Sequence, residues 1–157
     1  MASQQFSTWR KWSDKDKYEG IQYPGIYVIA ISTSDISGQE FKYLDQIVYV
    51  GMTNSVAGLK GRLKQFDNTI SQTHWQHGGA DRLLYENQNY ERLVKKLYVS
   101  TAHWECNPKN PKASDLLLMG EVAKAEYETL AKCLRHRPCR QIPKYNDKKN
   151  SPKYSKK

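Results

Sequence analysis

No stretch of this 157-residue chain comes near the roughly eighteen consecutive apolar residues that a membrane-spanning helix requires. A membrane partner is therefore not expected. The first residues also lack the charged-then-apolar pattern of a secretory leader, which places the expected location in the cytoplasm. Cysteine is scarce. Three cysteines, an odd number, argue against a disulfide framework. His103 with Cys106, and Cys133 with His136 and Cys139, have spacings compatible with zinc ligation. The first pair falls in a strand or its exit and the others straddle a helix end, so packed or exposed cysteines are the favoured reading over structural zinc. Acidic residues are almost missing from residues 131–157, where Asp147 alone faces ten lysines and arginines. The preceding 130 residues carry fifteen charges of each sign, so the whole formal excess of +9 lies at one end. A segment of this kind is an electrostatic footprint for a polyanion, or else a solubilising tail. Residues 147–157 are polar and lysine-rich enough to be expected disordered.

What the chain does have is two tyrosines in strand-like runs. Pro24-Gly25-Ile26-Tyr27 opens one apolar run, and Tyr49-Val50-Gly51 closes another. Residues 26–31 and 47–50 are apolar on both faces, as expected of central strands covered on each side. A polar loop around Ser37-Gly38 joins them. Residues 1–23 are read as a short helix or an arm bearing Trp9 and Trp12. Leu59, Leu63, Phe66 and Ile70 then form the stripe of an amphipathic helix, with Arg62 at its edge. Gly78-Gly79 precedes a short helix through Leu83 and Leu84, and Leu97, Val99 and Thr101 alternate like a third strand.

After a loop marked by Pro108 and Pro111, Ser114-Asp115 starts a helix expected to reach about Leu134, before Pro138. At 100° per residue, Met119, Val122, Ala123, Leu130, Cys133 and Leu134 share one arc, whereas Glu121, Lys124, Glu128 and Lys132 lie opposite. Glu126 falls inside the apolar arc. Burying an unpaired carboxylate costs several kcal/mol, at an order of magnitude, so Glu126 needs a partner. That partner is either an arginine such as Arg62 in a salt bridge, or a metal ion.

Two strand phenols, a helix-edge arginine and a core-facing carboxylate are the groups that phosphodiester hydrolysis with one divalent ion requires. Glu126 fits an oxygen ligand for one Mg²⁺, or Mn²⁺, completed by water and phosphate. Arg62 fits neutralisation of phosphoryl charge and stabilisation of a neighbouring phenolate. Tyr27 fits the proton acceptor, with Tyr49 orienting the phosphate or the attacking water.

Gly25-Ile26-Tyr27, Tyr49-Val50-Gly51, Leu59-Lys60-Gly61-Arg62-Leu63, Glu126 with Leu130, and Pro143-Lys144-Tyr145-Asn146 together resemble the GIY-YIG nucleases. The resemblance spans residues 24–146. It implies an α/β (α+β) fold with a small three-stranded antiparallel sheet flanked by helices. It also implies a single nuclease domain over residues 1–146, including the N-terminal arm. Tyr27, Tyr49, Arg62 and Glu126 would be catalytic, Glu126 would hold the metal, and Asn146 would support the site. The interval between the two tyrosines is about twice the family's usual length, and three extra residues precede the Arg62 helix. The separation of Glu126 from Asn146 is also longer than usual.

Where some members have a histidine or tyrosine one turn after the arginine, this chain has Phe66. His74 and His77 are alternative sources of that group, although both are read as surface residues. The insertion at residues 67–113 either carries DNA-facing residues such as Trp75 and Arg82 or thickens the core. Lys144, Lys148 and Lys149 are further candidates for phosphate contact. The expected function is a divalent-metal-dependent DNA endonuclease of restriction or repair type. Cutting both strands of a symmetric site would imply a homodimer. The rival readings are a non-catalytic nucleic-acid-binding module on the same fold and a zinc-stabilised interaction domain.

Overall fold

The computed structural model describes residues 5–156. Residues 1–4 of the expected arm, and Lys157 of the tail, lie outside the described residues. The fold is α+β. A four-stranded antiparallel sheet, ordered β1-β4-β2-β3, combines β1 (Arg10–Lys11), β2 (Gly25–Ile31), β3 (Ile47–Thr53) and β4 (Leu97–His103). Four helices accompany it: α1 (Gly58–Ile70), α2 (Gly78–Glu86), α3 (Tyr90–Val94) and α4 (Ala113–His136). No helix among the described residues is long and apolar enough to cross a membrane.

The continuous apolar run of β2 is explained by its position: it is paired on both edges and covered on both faces. Tyr27 and Ile29 enter one cluster with Leu59, Leu63, Phe66 and Leu83 from α1 and α2. Ile26, Val28 and Ala30 enter a second cluster with Val50, Val122 and Cys133, on the α4 side. The molecule is thus three layers, with the sheet between the α1/α2 pair and α4.

The sequence led to three strands; the fourth is β1. Its two residues pair with Val99 and Tyr98 of β4. The arm is a strand because Trp9 and Trp12 anchor it in opposite clusters, one on each side of the sheet. Trp12 Nε1 donates to Asp67 Oδ1 at 2.7 Å, tying the arm to α1.

Two further expectations are corrected. The buried stripe of α4 consists of Val122, Thr129 and Cys133, with Leu118, Met119, Ala125 and Leu130 partly covered, so Met119, Val122, Leu130 and Cys133 lie where the arc put them, whereas Ala123 is exposed and Leu134 is 45% exposed. Residue type alone set the edges of the arc wrongly, at Ala123 and Leu134, and missed Thr129, which can be buried once its hydroxyl donates to Ala125 O at 2.7 Å. The segment after Asn146 is also folded back onto the domain rather than detached. Ser151 donates to Lys144 O at 2.7 Å, the amide of Ser155 donates to Asp81 Oδ1 at 3.0 Å, and Tyr154 stacks on Trp75. A buried carboxylate at Asp81 needs donors, and Ser155 supplies two of them.

The sheet's register fixes where glycine is obligatory. Tyr27 pairs with Gly51, and a Cβ on Gly51 would overlap the Tyr27 phenol. Gly120 on α4 has open space around it. Gly51→Ala should therefore destabilise the protein by about 1–3 kcal/mol through overpacking, whereas Gly120→Ala should be neutral or stabilising by up to ~1 kcal/mol. Urea denaturation of both variants checks this, and equal midpoints would contradict the packing described.

Candidate active site

The β2–β3 register pairs Tyr27 with Gly51 and Ile29 with Tyr49. In a period-2 strand this puts both phenols on the α1/α2 face, with ring centroids 6.1 Å apart. Glycines give them room on both sides: the Tyr27 ring lies over Gly51, and the Tyr49 ring occupies the space a side chain on Gly79 would need. From α1, Phe66 closes the back of the site with its ring 6.2 Å from that of Tyr49.

The decisive partner of Tyr27 comes from the loop before α2. Thr69 Oγ1 accepts the amides of Gln76 and His77, both at 3.1 Å, and this turns the His77 side chain inward. His77 is 2% exposed, not a surface histidine as the sequence suggested, and its ring centroid lies 4.9 Å from Phe66. Its Nδ1 accepts the amide of Ala80 at 3.1 Å, capping α2. An acceptor at Nδ1 leaves the ring proton of a neutral imidazole on Nε2. Nε2 therefore donates to Tyr27 Oη, at 2.5 Å. Burial first, then the charges of Arg62 and Arg82, hold His77 well below its ordinary pKa of 6.5 and keep it neutral. Histidine is not among the preferred helix N-caps, so the sequence signal for this role is weak. His74 is exposed and takes no part.

Arg62 and Glu126 complete the constellation from different elements. Arg62 Nη1 donates to Gln65 Oε1 at 2.7 Å, and its charge acts on Tyr27, Tyr49, His77 and Glu126. Glu126 is half-buried on α4, and among the described residues its carboxylate has neither a hydrogen bond nor an ion pair within contact distance. The salt bridge to Arg62, one of the two expected partners, is not formed. Burial raises the Glu126 pKa, while Lys148 and then Arg62 pull it down. Lys148, read from sequence as a phosphate contact, is thus placed beside Glu126.

Burial raises Tyr27 well above the ordinary tyrosine value, with Tyr49 adding to it and Arg62 opposing. Tyr49 is raised by burial and by Glu126, against Arg62 and Arg82.

Asn146 acts through the backbone. β3 is the outer strand of the sheet, and its open edge at Val50 is closed by the Asn146 amide. Oδ1 accepts from Val50 N and Nδ2 donates to Val50 O, both at 2.8 Å. A side chain here imitates a neighbouring strand, and it clamps the middle residue of Tyr49-Val50-Gly51.

The remaining candidates are distributed differently. Lys144 is committed to Glu86 at 2.7 Å, Lys149 is exposed, and Trp75 is 51% exposed against Tyr154. Arg82 is 6% exposed and its Nε donates to Tyr145 O at 2.8 Å. Cys106 and Cys133 are buried and Cys139 is exposed. Among the described residues, no three His, Cys, Asp or Glu side chains come together to hold a metal. A cleft of about 690 Å³, lined by Phe6, Phe41, Trp104 and α4, includes none of these site residues.

No family model matches the chain, and no curated protein or solved structure matches it at a significant level. The site's chemistry accordingly rests on its own geometry.

A neutral, buried His77 makes stability depend on acid. Its folded pKa lies below its unfolded value, so the unfolded chain binds a proton that the folded one does not. Stability is then complete above about pH 6.5 and falls as the pH drops below it. Lowering the pH from about 7.5 to about 5.5 should cost roughly 1 kcal/mol through this residue, and His77→Gln should remove that component. Urea midpoints of both proteins at both pH values check it; identical pH dependence would contradict the burial of a neutral ring.

Proposed function

We propose that this protein is a divalent-metal-dependent DNA endonuclease of the GIY-YIG kind. One observation carries the reading. Tyr27 and Tyr49, from β2 and β3, feel the charges of both Arg62 on α1 and Glu126 on α4, and Glu126 has no contact partner among the described residues. A half-buried carboxylate with no hydrogen bond or contact ion pair among the described residues is costly to the fold alone, and a metal ligand explains its retention. The donor set fits a hard cation: one carboxylate, with water and substrate phosphate oxygens to complete the shell. A single Mg²⁺ or Mn²⁺ held by Glu126 would lower the pKa of a bound water and draw charge from the phosphate.

The chain's own groups divide the remaining work. Tyr27 would act as the phenolate, its own proton first released to solvent, and so take the proton of the attacking water. Its oxygen is capped by His77 Nε2 and its ring lies over Gly51, so the proton arrives from the side where Tyr49 and Arg62 stand. The His77 N–H and the Arg62 charge both favour the phenolate that burial disfavours. Tyr49, less deeply buried, orients the phosphate or the water. Arg62 also offsets charge that builds on the phosphoryl oxygens. Asn146 holds the strand that carries Tyr49 and is a positioning residue.

The test is cleavage of supercoiled plasmid and linear duplex with Mg²⁺ or with EDTA. Wild type should cut only with Mg²⁺. Glu126→Gln and Tyr27→Phe should each lose activity by about 10²-fold or more, a size common for positioned acid–base groups. A wild type that binds duplex and never cuts it would hand the fold to the non-catalytic binding reading. A Glu126→Gln protein that cuts like wild type would remove Glu126 as the ligand.

A further inference from the structure

α2 begins with two glycines whose backbone N–H groups have no acceptor among the described residues. The first amides of the helix to be taken up are those of Ala80, by His77 Nδ1 at 3.1 Å, and of Asp81, by His77 O at 3.0 Å. A bare helix start of this kind carries partial positive charge and aims N–H groups outward. One turn along, Arg82 is more than nine-tenths buried. Only its Nε is bonded, to Tyr145 O, and no carboxylate or other acceptor among the described residues faces its two terminal nitrogens. The adjacent acid, Asp81, turns away to Ser155.

Both cations nearby lean over the same spot. Arg82 Nη1 lies 3.4 Å, and Lys153 Nζ 3.6 Å, from the point where a side chain on Gly78 would begin. Nothing else lies so close to that point, so glycine there keeps the spot open rather than serving packing. The Arg82 side chain is held in place by burial and by its Nε bond, which leaves its terminal nitrogens to a ligand, and two cations over a bare helix start repel one another. A phosphate satisfies all of these groups at once: it accepts two backbone N–H bonds and a forked guanidinium. The spot borders the candidate site, because the very next residue, Gly79, packs against the Tyr49 ring.

We propose that the start of α2, with Arg82 and Lys153, binds a backbone phosphate of the nucleic acid beside the one that is cut, and thereby sets the substrate's register against Tyr49. This rests on the nuclease reading for the identity of the ligand, and on the α2 geometry for the site itself.

The experiment has two arms. In the first, wild-type protein is titrated with inorganic phosphate and then with a 5′-phosphorylated dinucleotide, and backbone amide resonances are followed. The Gly78 and Gly79 amides should shift with both, and Lys153→Gln should weaken the response several-fold. In the second, duplex binding by the Glu126→Gln protein is measured over a salt series without metal. Adding Lys153→Gln, or Arg82→Gln, should reduce the slope of log affinity against log salt by about 1. Lys153→Gln keeps the Arg82–Tyr145 contact, so it remains informative if the Arg82 variant does not fold. Glycine amides that ignore phosphate, or an unchanged salt slope, would overturn the site. A wild type whose glycine amides respond while plasmid stays intact would leave the phosphate site standing and remove the nuclease reading.

Discussion

The hydrogen bond between Tyr27 and His77 is the contact on which the rest of the site depends. A phenol at the centre of an apolar sheet must have a partner, and the one Tyr27 has comes from outside the sheet. The partner is brought in by a loop. Thr69 turns the chain at residues 76–77, His77 caps α2, and the cap leaves a single ring N–H to give to Tyr27. The position of α2 and the protonation of His77 are therefore settled by one pair of contacts. The glycines follow from the same crowding: with two phenols and an imidazole in one layer, the backbone beneath Tyr27 and beside Tyr49 can carry no side chain.

Electrostatics then divides the layer. Arg62 acts on both phenols, Arg82 on Tyr49 and His77, and Lys148 on Glu126, whose own charge is felt by both phenols. An arrangement of this sign suits a substrate that brings negative charge with it. The clamp between Asn146 and Val50 has a different character. It is purely geometric, and it closes the open edge of the sheet at the strand that must hold Tyr49 in place.

Much of this was legible in the sequence where periodicity and residue type agree. The apolar runs around Tyr27 and Tyr49 specified two strands, but both were expected to be central, and only β2 is; β3 is the outer strand, its edge closed by Asn146 from far along the chain. The Leu59–Ile70 stripe gave α1 and put Arg62 at its edge. What could not be read depends on contacts distant in the chain. β1 exists because two tryptophans anchor on opposite faces, and the last ten described residues fold because Asp81 needs donors. His77 was misread as exposed because its burial depends on the Thr69 hydroxyl, which no local pattern reveals. The depth of Arg82 was not readable either: α2 covers most of a side chain whose type alone suggests exposure.

The protonation pattern of the His77 ring tests this account most directly, and nitrogen-15 chemical shifts of the labelled ring report it. The account predicts a proton on Nε2, a bare Nδ1, and no titration as the pH is lowered from about 8 to about 5.5. A proton on Nδ1, or a ring that titrates near 6.5, would contradict it.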